Sequence, residues 1–158
     1  MSQLRERTAR MDRPAPDEAV LPAPRAEGAT STLLRTLGAI AVAVVGAVHL
    51  EQYFSVHFDV VPVIGPLFAL NFAGAVLIAL GLLIPSARLR LLHMLLALAG
   101  IGLAGTSFVL LFVSEHQPLF GFQDHGYRPA IVVALAAEAA AVALLGGYLA
   151  ARGPRPEV

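Results

Sequence analysis

The sequence predicts an all-α, polytopic membrane protein with four transmembrane helices in an antiparallel bundle and both termini in the cytoplasm. Three observations predict this fold class. The chain is 57% hydrophobic with a mean hydropathy of +0.73, its apolar residues fall into four long runs, and its arginines lie almost entirely on one side of those runs. Only 14% of the residues are charged, against about 25% in typical soluble domains, which excludes a large soluble domain.

The first predicted helix spans residues 33–54 and follows a polar segment, residues 1–32. That segment mixes five arginines with proline, alanine and acidic residues and has no apolar periodicity, so we expect it to be disordered. The apolar run after it is long enough to cross a membrane, which favours an uncleaved anchor over a cleaved signal peptide.

Three further apolar runs predict helices over residues 63–84, 91–113 and 129–151. Each is close to or above the ~20 residues that cross a ~30 Å hydrocarbon core. The connections are short, so we expect successive helices to pack as antiparallel neighbours. Pro129 suits a first helical turn, because its missing N–H has no intrahelical partner there. Residues 152–158 form a short tail that we also expect to be disordered.

The arginines predict how the chain is oriented in the membrane. Ten of the eleven precede the first helix or lie at its start, between the second and third helices, or after the fourth, and Arg128 alone lies on the other side. Cytoplasmic loops carry the excess of basic residues. We therefore expect both termini in the cytoplasm, the chain in the plasma membrane, and the connections 53–62 and 114–128 on the outer side.

Composition also limits the chemistry and the partners. The chain has no cysteine, which excludes disulfides, thiolate ligands and a cysteine nucleophile. Its net charge of zero argues against nucleic acid as a partner. No G-x-S-x-G elbow or phosphate-binding loop occurs. We expect a non-enzymatic protein whose partners are the lipid bilayer and either another membrane protein or a second copy of the chain.

Polar residues are concentrated in the outer half of the predicted bundle, whereas the inner half is nearly pure Leu, Ala, Val and Gly. This distribution favours a pocket open to the outside over a pore, because a channel or carrier needs polar residues along its inner half as well. Five residues are candidates for lining an outward-facing polar pocket: His49, Glu51, Asn71, His116 and Glu138.

Glu138 is the most unusual residue of the chain. It lies nine residues past Pro129, about 14 Å along a helix, and a carboxylate at such a depth costs about 2.5–3.5 kcal/mol on insertion scales. Such residues normally face the bundle interior. Three roles remain open: a neutral Glu138 that hydrogen-bonds to Asn71, Thr106 or Ser107, a site for a proton, ion or ligand, and a contact with a partner subunit.

The outer-side histidines are candidate metal ligands, because imidazole and carboxylate suit zinc, copper(II) and iron. Four histidines belong to this set, with Glu51 as a further donor: His49, His57, His116 and His125. A b-type haem would need two axial histidines at matching depth, and His49 and His116 are the only such pair. No tight ligand spacing such as H-E-x-x-H supports either cofactor.

A shift of 67 residues aligns His49 with His116 and Asn71 with Glu138. If the two helix pairs are a true repeat, these four residues surround one centre, because ligand sites tend to lie at repeat interfaces. The alternative is chance similarity between two segments rich in Ala and Leu.

The segment HLEQYFSVHFDVVPVIGPLFALNFAGAVLIALGLL, residues 49–83, resembles a group of small, uncharacterised bacterial four-helix membrane proteins. The shared features are the histidine at the end of the first helix, P-x-I-G-P-L-F opening the second, and the asparagine four residues after that motif's leucine. The resemblance covers 35 of the 158 residues of the chain. It implies the four-helix fold and carries no activity with it.

The sequence therefore favours a structural or accessory membrane component with an outward-facing polar pocket. A metal- or haem-binding redox protein that uses the outer-side histidines is the first alternative. A small proton- or cation-coupled transporter that uses Glu138 is the second.

Overall fold

The structure, a computed structural model, describes residues 28–121, 123, 126 and 128–152, without the side chain of Ala87. It contains four α-helices, each long and apolar enough to cross a membrane. This confirms the predicted all-helical fold with four helices of membrane-spanning length. The helices are α1, Ala29–Ser55, α2, Ile64–Leu83, α3, Arg90–His116, and α4, Pro129–Ala151, with short 3-10 turns at Phe58–Val60 and Ala87–Leu89.

The observed helices extend beyond the predicted ones by three or more residues at two ends. α1 begins at Ala29 instead of 33, after Gly28 in an extended conformation. α3 continues to His116 instead of 113, because the backbone ladder tolerates polar residues that a hydropathy boundary leaves out. The predicted disordered segments fall largely on residues 1–27 and 153–158, which lie outside the described residues.

The four helices form a ring in which one neighbouring pair is splayed. α1 packs closely against α2 and α4, and α3 packs against α4, whereas α2 and α3 touch sparsely. The α1–α2 pair is tight because small residues meet there. A Cβ added at Gly46 would lie 2.7 Å from the Cβ of Ala75, and such small residues let helix backbones approach closely in a membrane.

Leu145 of α4 lies at the centre of the apolar core. It is fully buried and fits between α1 and α3. A Cβ added at Gly38 would lie 2.5 Å from Leu145 Cδ2, and one added at Gly100 would lie 2.7 Å from Leu145 Cδ1. Val42 and Ile78 complete the layer. The two glycines are therefore places where a leucine side chain occupies the space that a Cβ would need.

One end of the bundle, which we call the basic end, carries Arg35, Arg90 and Arg152, and it contains buried polar groups. Arg35 is 4% exposed, and its Nη1 donates to the carbonyl oxygen of Leu82. That carbonyl is one of the last in α2 and has no partner within its own helix.

Two further polar side chains are buried at the basic end, His93 and Tyr148. The guanidinium of Arg152 lies 4.7 Å from the centre of the Tyr148 ring, and Arg90 Nη2 lies 3.4 Å from the Arg152 carbonyl oxygen. Polar side chains are therefore buried at the basic end as well as at Glu138. The physical reason is that ends of helices leave carbonyl groups that cationic side chains can satisfy.

Candidate functional site

A cavity of about 450 Å³ lies at the opposite end of the bundle from the basic end. Its size is within the range of about 300–1,000 Å³ that is typical of ligand pockets. Its lining is mostly apolar and comes from all four helices. Leu70 of α2 and Leu110 of α3 line it and are 67% and 38% exposed. Because α2 and α3 are the most loosely packed of the neighbouring helices, the cavity opens sideways between these two helices.

Glu138 of α4 forms part of the cavity wall. The residue is 1% exposed, and its Oε2 has no hydrogen-bond partner among the described residues. Ala134, one turn earlier, also lines the cavity, so small side chains leave the carboxyl group accessible from it. Among the described residues that line the cavity, Glu138 is the one acidic or basic side chain other than histidine.

Asn71 and Ser107 are paired across the splayed helices. Asn71 Nδ2 donates to Ser107 Oγ at 2.6 Å, and both residues line the cavity together with Thr106. Asn71 Oδ1 is buried and has no hydrogen-bond partner in the described chain. The polar bridge between the helices is thus Asn71–Ser107. The structure shows no hydrogen bond from Glu138 to either residue or to Thr106.

α1 contributes His49 and Gln52 to the cavity. His49 Nδ1 lies 2.8 Å from the carbonyl oxygen of Val45, so Nδ1 is the donor and Nε2 remains for other partners. Gln52 is 6% exposed and donates its amide to Glu51, while its own Oε1 is buried without a partner among the described residues. Two further groups able to accept hydrogen bonds therefore lie at the cavity wall.

A cluster of tilted aromatic rings lies beside His49 at the cavity wall. The His49 and Phe68 ring centres are 4.8 Å apart, as are those of Phe58 and Phe68. Phe58 is 4% exposed although it belongs to the connection between α1 and α2. The connection thus places an aromatic side chain against the cavity.

Backbone geometry fixes the connection between α1 and α2. His57 and Val63 have φ values of 60° and 69°, which side chains other than glycine seldom adopt, and a β-branched valine least of all. Gly65 allows the chain to return close to itself, since a Cβ there would lie 2.6 Å from the Phe58 carbonyl oxygen. The strained turn and the close approach together hold Phe58 in place.

Glu51 and His116 do not line the cavity, although the sequence suggested them for it. Glu51 is exposed and accepts a hydrogen bond of 2.5 Å from Ser55 Oγ. His116 is exposed, and its Nδ1 lies 2.8 Å from the Phe112 carbonyl oxygen of its own helix. Glu51 lies two residues after His49, and His116 two after Ser114, which is about 200° around a helix. Each therefore points away from the cavity face.

The histidines do not form a shared ligand cluster in the part of the chain that is described. No group of three or more His, Asp or Glu side chains lies close enough there to hold a metal ion. His57 is exposed in the α1–α2 connection, and His125 lies outside the described residues. His49 faces the cavity and His116 faces away from it, so this pair does not frame a space between two axial ligands.

The structure places three of the four residues aligned by the 67-residue shift at the same cavity. Asn71 and Glu138 line the same cavity, on α2 and α4. His49 lines it and His116 does not. The repeat stays a prediction.

The lining residues that sequence reasoning missed include Gln52, Phe58, Phe68 and Ser114. Helical spacing could have found two of them. Gln52 lies three residues after His49, and Ser114 follows Thr106 and Leu110 at intervals of four, so each shares a helix face with another lining residue. The two phenylalanines carry no polar signal that distinguishes them from residues facing lipid.

Comparison with family models, with curated proteins and with solved structures gives no match to this chain.

Proposed function

We propose that the protein is a non-enzymatic component of a bacterial plasma membrane that binds an amphipathic small molecule in its cavity. The observation that carries the proposal is the position of a buried, unpartnered carboxyl group, that of Glu138, in the wall of a mostly apolar cavity of about 450 Å³. Apolar pockets with a few placed polar groups are typical ligand sites.

The antiparallel bundle and its orientation belong to the same proposal. Successive contacts between α1 and α2 involve later residues of α1 and earlier residues of α2. The pairs are Arg35 with Leu82, Gly46 with Ala75, and His49 with Phe68. This order supports antiparallel packing. The excess of arginine at the basic end supports its assignment to the cytoplasm. The cavity is then in the outer half of the membrane.

The sideways opening suggests how such a ligand would arrive. Leu70 and Leu110 at the opening are exposed and apolar, so in a membrane they would face lipid chains. An amphipathic molecule dissolved in the outer leaflet could enter between α2 and α3 with its polar group leading toward Asn71 and Glu138. This route needs no aqueous path.

A transporter function would require a path from Glu138 to the basic end. Leu145 and the surrounding layer fill that space, with Leu145 fully buried between Gly38 and Gly100. The redox alternative lacks a shared group of histidine and carboxylate ligands among the described residues. Ligand binding is therefore the function that the geometry supports best.

Filling the cavity tests this function. Gly102 lines the cavity and Gly105 does not, yet both are on α3 and a Cβ at either would meet no atom within 4 Å. Gly102→Phe should occupy the cavity, and Gly105→Phe is the matched control. The full chain is reconstituted in phosphatidylcholine nanodiscs and titrated with decylamine, decan-1-ol and decanoate, with empty nanodiscs as the reference for membrane partition.

We expect saturable binding of at least one of the three amphiphiles to the parent protein and to Gly105→Phe, and its loss in Gly102→Phe. If all three compounds only partition as they do into empty nanodiscs, or if Gly102→Phe binds as well as the parent protein, the cavity is not the ligand site.

A further inference from the structure

The buried polar atoms that lack hydrogen-bond partners in the described cavity wall are all oxygen atoms. Three buried oxygen atoms of its lining residues have no hydrogen-bond partner among the described residues: Gln52 Oε1, Asn71 Oδ1 and Glu138 Oε2. Buried polar groups are normally satisfied, and leaving them without partners is unfavourable. A ligand that satisfies these atoms must supply donors.

Some of the donors of the cavity wall are already engaged within the protein. Asn71 Nδ2 donates to Ser107, Gln52 Nε2 donates to Glu51, and His49 Nδ1 bonds the Val45 carbonyl oxygen. Neutral His49 therefore presents an acceptor at Nε2. The cavity wall presents acceptors from three helices, and the ligand should present several N–H or O–H groups.

The charges around the cavity further limit the chemical class of the ligand. None of the arginines that the structure describes lines the cavity, and the chain has no lysine. A carboxylate or phosphate headgroup would therefore meet the Glu138 carboxyl group without a cation to balance it. A protonated amine is complementary to that carboxyl group and offers up to three donors in a compact head. A hydroxyl group offers one.

We infer that the cavity binds an amphipathic amine, with its ammonium group between Glu138 and Asn71 and its apolar chain directed outward between α2 and α3. This inference rests on the proposed ligand-binding function and adds the chemical class of the ligand. An ionised carboxylate buried without a partner is strongly unfavourable, and an ammonium group at hydrogen-bond distance would form a charge-assisted pair.

The three amphiphiles of equal chain length test this inference, because they differ only in the head. At pH 7 decylamine is a cation, decan-1-ol is neutral and decanoate is an anion. We expect the parent protein to bind decylamine about tenfold to a hundredfold more tightly than decanoate, the range expected for a hydrogen bond to a charged group. Decan-1-ol should bind with an intermediate affinity.

Variants of Glu138 assign the preference to the carboxyl group. Glu138→Gln should lower the affinity for decylamine about tenfold or more while decan-1-ol still binds, which also shows that the cavity is intact. Glu138→Asp keeps the charge and should keep the order of the three ligands. The control is Asp59→Asn, since Asp59 is exposed and outside the cavity, and it should leave all three affinities unchanged.

The outcomes separate the two proposals. If decanoate binds as tightly as decylamine, or if Glu138→Gln leaves the preference for the amine unchanged, the ligand class is wrong. If at the same time Gly102→Phe still abolishes binding, the ligand-binding function stands. If no amphiphile binds saturably to the parent protein, both proposals fail.

Discussion

Two polar residues of the cavity, Asn71 and Glu138, differ in what surrounds them. Asn71 has a partner across the splayed helices, Ser107, at 2.6 Å. Glu138 is more deeply buried and its Oε2 has no partner in the described chain. Interhelical hydrogen bonds in membranes contribute about 0.6 kcal/mol on average, so Asn71 is explained by modest stabilisation. Glu138 is not explained by any contact within the described residues, which is why it carries the functional proposal.

The Asn71–Ser107 hydrogen bond can be tested by a double-mutant cycle. Asn71→Ala and Ser107→Ala should each lower the free energy of unfolding, and the double variant should lose less than their sum. We expect a coupling energy of about 0.6 kcal/mol, and at most about 1.7 kcal/mol. Unfolding of the purified protein by sodium dodecyl sulfate in mixed micelles, followed by circular dichroism, measures it.

Thr106→Ala is the control for this cycle, because Thr106 lines the same cavity beside Ser107 and is not its partner. It should show no coupling to Asn71→Ala. A coupling between Asn71 and Ser107 no larger than that of the control would mean that the hydrogen bond contributes nothing.

At the scale of single elements, the connection between α1 and α2 is a structural part of the cavity. It is short and contains two residues with left-handed φ values, His57 and Val63. Residues in such conformations cost about 1–3 kcal/mol each and persist only where the surroundings determine them. Burial of Phe58 against Phe68 and the close approach at Gly65 are the contacts that determine this conformation.

Gly65→Ala should disturb the connection between α1 and α2. The new Cβ would lie 2.6 Å from the Phe58 carbonyl oxygen, and backbone atoms have less freedom to move aside than the end of a side chain. We expect destabilisation of about 1–3 kcal/mol, the usual range when packed groups are forced apart, with a shifted Phe58. Thermal unfolding measures the loss of stability. A change in the affinity for the bound amphiphile reports the shift of Phe58.

The control for this substitution is Gly105→Ala on α3, where a Cβ would meet nothing within 4 Å. Alanine is preferred over glycine inside a helix by roughly 0.5–1 kcal/mol, so this variant should be neutral or slightly more stable. Equal effects of the two substitutions would show that the contact at Gly65 does not constrain the connection.

At the scale of the whole molecule, the two ends of the bundle have different chemistry. The basic end contains Arg35, His93 and Tyr148 in a packed arrangement, and the other end contains the cavity. The layer around Leu145 separates them. This asymmetry fits the proposed binding function, which places the ligand toward one end of the bundle.

The orientation of the whole molecule is a separate prediction. Two reporters are fused to each terminus in turn. Alkaline phosphatase is active only outside the cytoplasm, and green fluorescent protein fluoresces only when it stays in the cytoplasm. Because ten of the eleven arginines lie on the side of the termini, both green fluorescent protein fusions should fluoresce and both phosphatase fusions should be inactive. Phosphatase fused after residue 121, between α3 and α4, is the control and should be active. Active phosphatase at either terminus would contradict the orientation.

Much of the architecture was predictable from the sequence, because hydrophobicity and helix length are local quantities. Four apolar runs near the length of a bilayer crossing gave four helices with centres where they were expected. The ends were less predictable. Ala29 and His116 belong to helices although hydropathy leaves them out, since a helical hydrogen-bond ladder does not stop where the apolar run stops.

The site was less accessible to sequence reasoning than the fold. His49, Asn71 and Glu138 line one cavity, while Glu51 and His116 face away from it. A helix of a soluble protein reveals its inward face by its apolar stripe. The helices of this chain are apolar on all sides, so their composition does not say which face is turned inward.

The sequence by itself determined the class of the molecule, its four membrane-length helices, and the expected asymmetry of charge, because each depends on residues summed along the chain. Only the tertiary structure decided that α2 and α3 are splayed, that a cavity lies between them, and that Arg35 is buried against the end of α2. These features depend on how the helices are rotated and spaced against one another. That packing is decided jointly by side chains far apart in sequence, such as Gly38, Gly100 and Leu145.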